Sequence, residues 1–168
     1  MSEINYKPLL NYIKAFIFDV DGVLTDGKLH ISESGELLRQ MNVKDGFALK
    51  HALNKGYKIC IISGGKNPAV KSRLEGLGVT DVYLGKEDKM DSLRDFSDKY
   101  KIPFKNMAYM GDDIPDLPVM KVAGLATCPQ NAVAEVKSIS HYVSHRNGGD
   151  ACVRDLIEQV LKVQNNWL

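Results

Sequence analysis

The sequence predicts an α/β fold in which a doubly wound, Rossmann-like parallel sheet forms a single domain. Short apolar runs alternate with longer segments of helical periodicity, a pattern typical of a parallel sheet covered by helices. The first run, from Ala15 to Val20, is short and apolar and ends in acidic and glycine residues, as expected of a strand buried on both faces. With 168 residues, 44% of them hydrophobic, the chain can bury one continuous core, so we expect one domain over residues 1–168.

The order of the elements follows from the apolar runs and from the residues that interrupt them. Gly56 and Gly78 end two helical segments, and Pro68 stands in the first turn of the second. Asp45 is placed to cap the first helix. The expected strands cover residues 15–20, 57–62, 81–84, 107–110 and about 124–126. The expected helices cover residues 46–54, 69–77, 89–100, 118–122 and about 151–163.

Two segments lie outside this alternation. Residues 28–43 contain two alternating stretches around a turn at Gly35, which predicts a β-hairpin that projects beyond the sheet. Residues 144–168 form a C-terminal tail that ends in the last helix. The intervals 26–46 and 85–89 are too short for an inserted cap domain, so we expect a capless protein with an open site.

The charge and cysteine content exclude several classes of partner. The chain carries 22 basic and 21 acidic residues without a block of like charge, so we expect neither nucleic acid nor a membrane surface as a partner. The three cysteines are an odd number without metal-ligand spacing, which fits a reduced, cytoplasmic protein. No run of about 18 apolar residues occurs and the first residues do not resemble a signal peptide, so neither membrane insertion nor secretion is indicated.

Polar residues follow three of the predicted strands at the point where each strand ends. In doubly wound sheets, ligands bind outside the carboxyl ends of the strands, so we expect these residues to share one site. Lys89, at the start of a predicted helix, lies between the last two groups in the sequence. The candidates are Asp19, Asp21, Ser63, Gly64, Lys89, Asp112 and Asp113.

The chemistry of these residues indicates phosphoryl transfer with a divalent metal. Carboxylates from two strands make an oxygen-rich pocket of the kind that Mg²⁺ prefers, and the cation would also neutralise an approaching phosphoryl group. The Ser63 hydroxyl and the N–H of Gly64 can hold phosphoryl oxygens, since this segment leads into a helix N-terminus. Lys89 adds a positive charge that offsets the nucleophile and the transferring group.

Four ordered motifs resemble those of the haloacid dehalogenase superfamily. They are residues 18–25 (Phe-Asp-Val-Asp-Gly-Val-Leu-Thr), Ser63, Lys89 and residues 111–113 (Gly-Asp-Asp). The resemblance implies hydrolysis of a phosphate monoester through an aspartyl-phosphate.

The same resemblance implies a role for each motif residue. Asp19 would be the nucleophile, and Asp21 the general acid and then the general base. Ser63 and Lys89 would bind phosphate. The magnesium ligands would be the side chains of Asp19 and Asp112 and the backbone carbonyl of Asp21.

Further features resemble a narrower family, the 3-deoxy-D-manno-octulosonate 8-phosphate phosphatases of lipopolysaccharide sugar synthesis. They are Asp26-Gly27 before the hairpin, residues 43–46, residues 111–116, and Gly148-Gly149 followed by residues 153–155. The resemblance implies a sugar-acid phosphate substrate. It also implies a homotetramer in which neighbouring subunits cover each other's sites, the hairpin packs centrally and the C-terminal tail closes over the substrate.

The residues that contact the sugar are left open by the sequence. Many relatives carry an arginine directly after the Ser-Gly pair, whereas this chain has Gly65 there. Lys66, Arg73 and Arg146 are the candidates for the cation that binds the substrate carboxylate, and Thr25 is a further candidate for substrate binding.

Two acidic residues in and just after the Gly-Asp-Asp motif have two possible roles each. Asp113 either orients the nucleophile loop or binds water around the metal, and Asp116 either supports the site or caps the helix near Pro118.

Other activities stay open beside this one. Within enzymes, the alternatives are a phosphatase for a nine-carbon 3-deoxy-2-ketoacid phosphate or another small sugar phosphate, or a phosphotransferase. From other classes, the alternatives are a phosphorylation-dependent receiver and an inactive binding subunit. The motif order argues against a receiver, which carries its acceptor aspartate after a central strand, whereas Asp19 follows the first.

Overall fold

A six-stranded, fully parallel sheet forms the centre of the computed structural model, which describes residues 5–168. The sheet strands have the spatial order β5-β4-β1-β6-β7-β8, and β2 pairs with β3 in a separate antiparallel hairpin. The strands are β1 (Ala15–Phe18), β2 (His30–Ile31), β3 (Leu37–Leu38), β4 (Lys58–Ile62), β5 (Asp81–Tyr83), β6 (Met107–Met110), β7 (Leu125–Cys128) and β8 (Tyr142–Val143). The predicted doubly wound sheet is confirmed.

Six α-helices lie on the two faces of the sheet in the described part of the chain. They are α1 (Val43–Asn54), α2 (Pro68–Glu75), α3 (Lys89–Tyr100), α4 (Leu117–Met120), α5 (Ala134–Ile139) and α6 (Cys152–Val163). Short 3₁₀ turns cover Lys7–Tyr12, Phe104–Asn106 and Ile114–Asp116. No helix in residues 5–168 has the length and apolar character needed to cross a bilayer.

The alternation of β1 side chains separates two apolar layers. Phe16 and Phe18 pack into the layer formed with α1, α2 and α6, whereas Ala15 and Ile17 pack into the layer formed with α3, α4 and α5. All four β1 residues are buried, which explains why the strand reads as an uninterrupted apolar run. β1, the first strand along the chain, is a central strand of the sheet and ends directly before Asp19, so its place in the sequence, and not its place in the sheet, argues against a receiver.

The first long helix starts three residues earlier than predicted. Asn42 is its N-cap, since its side chain accepts a hydrogen bond from the Lys44 N–H at 2.9 Å. The expectation that Asp45 caps this helix was wrong: Asp45 is buried in the first turn, and its Oδ1 accepts the Arg154 N–H at 2.8 Å. Because Val43 is helical, the hairpin is shorter than residues 28–43.

The C-terminal segment is a packed element in this structure and not a free tail. Helix α6 buries Val153, Leu156 and Val160 in the core beside α1. Just before it, the Gly149 N–H donates to the Val23 carbonyl at 2.9 Å, which fixes the glycine pair against the loop that follows β1. The start of α6 is therefore tied to the loop that follows β1.

Candidate active site

The loop after β1 places Asp19 at the carboxyl edge of the sheet. The Asp19 Oδ1 accepts the Val20 N–H at 2.7 Å, and residues 20–24 form a wide, non-helical loop closed by the Thr25 N–H, which donates to the Val20 carbonyl at 3.1 Å. Gly22 has φ +91°, a conformation that favours glycine, and a Cβ there would collide with the Asp112 carboxylate. The local sequence therefore brings the β1 loop against the β6 loop.

The predicted phosphoryl-transfer residues meet in one pocket. Its volume is about 430 Å³, and it opens at the ends of β1, β4 and β6. The candidates that line it are Asp19, Asp21, Ser63, Gly64, Lys89, Asp112, Asp113 and Asp116, together with Gly27, Gly65, Lys86, Glu87 and Pro115. The four motifs, which are spread over residues 18–113 in the sequence, are thus neighbours in space.

Three carboxylates in this pocket are close enough to share a cation. One oxygen from each of Asp19, Asp112 and Asp116 lies within 4.8 Å of the others. The Asp112 Oδ1 is buried without a hydrogen-bond partner, which is the state expected of a metal ligand when no metal is present. The donor set fits Mg²⁺.

Lys89 alone does not compensate the charge of these three carboxylates, because two of them keep a raised pKa. Burial, and then the Asp116 charge, raises the pKa of Asp19 to about 6 despite the opposing effect of Lys89. Burial, and then the Asp19 charge, raises the pKa of Asp112 to about 7. A divalent cation would relieve both effects.

Asp116 organises the site through both of its oxygens. Its Oδ1 accepts from the Lys89 ammonium at 2.7 Å and from the Tyr109 hydroxyl at 2.6 Å. Its Oδ2 accepts the backbone N–H groups of Asp112 at 2.9 Å and Asp113 at 3.3 Å. With these four donors engaged, Asp116 holds Lys89 and the backbone of residues 112–113 in place, whereas Asp112 Oδ1 keeps no partner.

Lys89 connects Asp19 to Asp116. Its Nζ lies 3.0 Å from Asp19 Oδ2, and its side chain is almost fully buried. Burial alone would lower the pKa of Lys89, but the two carboxylates outweigh that effect and raise it. The ammonium group therefore remains charged beside Asp19 at neutral pH.

Asp113 and Thr25 have local structural roles. Asp113 Oδ1 accepts the Ile114 N–H at 2.7 Å, and Asp113 forms a capping box with Asp116 around the 3₁₀ turn. Thr25 is fully buried, and its hydroxyl oxygen accepts the N–H groups of Gly22 at 3.3 Å and Gly27 at 3.2 Å. Thr25 therefore holds the β1 loop and does not line the pocket.

The three candidate cations for the substrate carboxylate lie outside the acidic pocket. Lys66 packs over Gly85, 3.2 Å from the position that a Cβ would take there. Arg73 lines a neighbouring groove beside α2, and Arg146 lies in a different groove, 3.9 Å from Asp150.

The sequence reasoning missed Arg39, which reaches Asp21. Its Nε lies 2.6 Å from Asp21 Oδ1 and its Nη2 lies 2.9 Å from Oδ2. Arg39 directly follows β3, and no local motif marks it, because the hairpin must return to the sheet edge before the two side chains meet. The alternating pattern of the hairpin, which predicts that the chain turns back towards the sheet, was the only sequence feature that bore on the position of Arg39.

Comparisons with known proteins agree with this geometry. Residues 77–156 match the family described as haloacid dehalogenase-like hydrolase. The chain is 36% identical to 3-deoxy-D-manno-octulosonate 8-phosphate phosphatase of Salmonella typhi over 152 residues, which cover 90% of this chain and 81% of that protein. The corresponding Haemophilus influenzae phosphatase is 32% identical over 155 residues, with 92% and 86% covered.

Solved structures show the same likeness. The Moraxella catarrhalis 3-deoxy-D-manno-octulosonate 8-phosphate phosphatase, in complex with magnesium, phosphate and KDO, superposes with a TM-score of 0.93 at 33% identity and covers 99% of this chain and 95% of its own. A haloacid dehalogenase hydrolase of subfamily III A from Legionella pneumophila gives 0.94 at 36% identity, with 99% and 91% covered. The chain therefore belongs to the haloacid dehalogenase-like hydrolases, in the family of the 3-deoxy-D-manno-octulosonate 8-phosphate phosphatases.

Proposed function

We propose that this protein is a magnesium-dependent phosphatase that converts 3-deoxy-D-manno-octulosonate 8-phosphate to the free sugar acid and phosphate in lipopolysaccharide sugar synthesis. The observation that carries the proposal is the pocket in which Lys89 Nζ lies 3.0 Å from Asp19 and the Asp112 oxygen lacks a partner. The Moraxella catarrhalis relative, which binds magnesium, phosphate and KDO, supports the substrate.

The chain's own residues account for the first step. The Asp19 carboxylate attacks phosphorus in line with the leaving oxygen, and the sugar alcohol departs with a proton from Asp21. The Val20 N–H fixes the Asp19 carboxylate at 2.7 Å, and Lys89 offsets the charge of the transferring group. Asp19, Asp112 and the Asp21 carbonyl would hold Mg²⁺, which would supply electrostatic stabilisation of the phosphoryl oxygens.

The second step returns the enzyme to its starting state. Asp21, now ionised, takes a proton from a water molecule, and the water oxygen attacks the phosphorus of the aspartyl-phosphate. The bond between phosphorus and Asp19 breaks, phosphate leaves, and the proton stays on Asp21. The Ser63 hydroxyl and the Gly64 N–H bind phosphoryl oxygens in both steps.

Substitution of the nucleophile tests this mechanism. Asp19→Asn keeps the shape of the side chain but removes the attacking charge, so phosphate release should fall by at least about a thousandfold. Circular dichroism should show an unchanged fold. The matched control is Asp95→Asn on the exposed face of α3, which should retain wild-type turnover. Near-normal turnover by a folded, pure Asp19→Asn protein would rule the mechanism out.

A substrate panel tests the sugar. We expect a marked preference for the eight-carbon acid phosphate over its nine-carbon homologue and over neutral sugar phosphates. Preference for another compound would keep the mechanism and replace the substrate. Slow turnover with a long-lived phosphoaspartate would favour a receiver, and no release from any compound would favour a binding subunit.

We also propose that the protein is a cytoplasmic homotetramer, with residues 1–168 forming one domain in each subunit. The described cysteines, Cys60, Cys128 and Cys152, are buried and free, which suits a reducing compartment. The hairpin and the start of α1 expose apolar side chains, and such patches are typical of interaction surfaces. This hairpin patch consists of Leu29, Ile31, Leu37, Leu38, Val43 and Phe47.

A further inference from the structure

Arg39 holds both oxygens of the proposed general acid. The Nε and Nη2 atoms make two parallel contacts with Asp21, at 2.6 and 2.9 Å, and Nη1 donates to the Leu37 carbonyl at 3.2 Å. The Arg39 side chain is only 9% exposed, so this arrangement is part of the packed structure. Such two-pronged arginine–carboxylate pairs combine strong attraction with strict geometry.

This arrangement opposes the role of Asp21 as the general acid. Asp21 must carry a proton and present it to the leaving alcohol at hydrogen-bond distance. Two arginine N–H donors, one on each oxygen, stabilise the ionised carboxylate instead, and a protonated oxygen cannot direct its O–H at an arginine N–H. The first proton transfer is therefore favoured once Arg39 has moved or changed partner.

The surroundings of Arg39 offer a place for a new partner. Gly65 has no side chain, and the Arg39 Nη2 lies 3.4 Å from the position that a Cβ would take there. On its other side, Arg39 lines a groove of about 450 Å³ with Asn67 and Arg73. The guanidinium thus stands between the acidic pocket and a groove with room for the sugar.

We propose that Arg39 is a specificity-determining residue that exchanges the Asp21 carboxylate for the carboxylate of the substrate. In the free protein, the Arg39 guanidinium binds the Asp21 carboxylate. When the sugar acid binds, its carboxylate replaces that of Asp21 on Arg39. The exchange releases Asp21 to transfer protons, so an acidic sugar phosphate activates the site and a neutral one does not. This inference rests on the proposed function for the identity of the acid.

Steady-state kinetics of the full chain with Mg²⁺ test the exchange. Wild type, Arg39→Ala and Arg39→Lys are compared on the eight-carbon acid phosphate and on ribose 5-phosphate, which has no carboxylate. Arg39→Ala should lower kcat/KM for the acid by about 10- to 100-fold, the usual effect of losing a charged hydrogen-bond partner. It should raise kcat for ribose 5-phosphate, because Asp21 is no longer held.

The two controls separate this role from a structural one. Arg39→Lys keeps the charge but not the fork, so its effects should lie between those of wild type and Arg39→Ala. Arg94→Ala removes another arginine–aspartate pair, on the surface of α3, and should change the ratio of the two kcat/KM values less than twofold.

Several results would overturn the inference. Equal losses of kcat/KM on both substrates in Arg39→Ala would show that Arg39 only supports the fold. If Arg73→Ala changed the ratio of the two kcat/KM values and Arg39→Ala did not, Arg73 would be the residue that binds the substrate carboxylate. A wild-type enzyme without preference for the acid would reject the exchange and leave the phosphatase activity standing. If wild type released no phosphate at all, the proposed function would fail. Calorimetric titration with the free sugar acid would then test the contact between Arg39 and the carboxylate by itself. Tenfold weaker binding by Arg39→Ala would support the contact, and equal binding would overturn it.

Discussion

Asp45 is a buried carboxylate outside the active site whose charge is poorly compensated. Within residues 5–168, Asp45 Oδ2 and Asp112 Oδ1 are the buried side-chain oxygens without a hydrogen-bond partner. Asp112 faces a pocket that suits a cation, whereas Asp45 lies under the N-terminus of α6. Burial raises the pKa of Asp45 to about 6, more than the Arg154 and Ala151 backbone N–H groups lower it.

This shift predicts that Asp45 makes the fold less stable as pH rises. The folded protein binds the Asp45 proton more tightly than the unfolded chain, so the contribution to stability is complete below about pH 4 and is lost as pH rises to about 6. The loss is about 3 kcal/mol in the free energy of unfolding. The side chain introduced by Asp45→Asn cannot ionise, so in this variant the free energy of unfolding should change less between pH 4 and pH 6 than in wild type.

Urea unfolding of wild type and Asp45→Asn between pH 4 and pH 7.5 measures the effect, with an excess of Mg²⁺ held constant. Asp95→Asn, at an exposed position, should reproduce the wild-type curve. Parallel curves for wild type and Asp45→Asn would show that the buried carboxyl does not titrate in this range.

Individual site residues were predictable where a strand end marks them. Asp19, Ser63 and Asp112 each follow an apolar run, and the parallel sheet then forces them together. The partner of Asp21 was not predictable in this way. Arg39 reaches Asp21 from the hairpin. The hairpin strands are only two residues long, so tertiary contacts determine where they lie.

Among the elements, α6 is the one whose role the structure changes most. The sequence predicted this helix over about residues 151–163 and assigned it to a C-terminal tail that closes over the substrate. The buried side chains of Leu156 and Val160 show instead that α6 belongs to the core. Elements such as α5 and β8 were missed because six and two residues are too few to display a period.

A core position for α6 predicts a large cost for shortening one of its buried side chains. Leu156→Ala should lower the free energy of unfolding by about 2–5 kcal/mol, since it leaves a cavity under a helix that cannot fully collapse. Val163→Ala, at the 40% exposed end of the same helix, should cost less than about 1 kcal/mol. Urea unfolding measures both, and equal small effects would mean that α6 is not packed as described.

At the scale of the whole molecule, the described chain leaves the apolar side chains of the hairpin patch largely uncovered. Ile31 is 71% exposed and Leu38 is 48% exposed, although both lie in strands. A two-stranded hairpin is marginally stable in water by itself, so burial against other subunits would also stabilise its pairing. The alternating pattern of the hairpin predicted its strands but not which molecule covers their apolar faces.

Substitution in this patch tests the homotetramer. Ile31→Glu places a charge where subunits would meet, and burying an unpaired charge there would cost several kcal/mol. Sedimentation analysis should therefore find tetramers of wild type and smaller species of Ile31→Glu at the same concentration. Because the sites would then lose the neighbours that cover them, kcat/KM for the sugar-acid phosphate should fall as well. Val122→Glu, a charge at a 39% exposed position outside the patch, should stay tetrameric and active, and a tetrameric Ile31→Glu protein would exclude the hairpin as the interface.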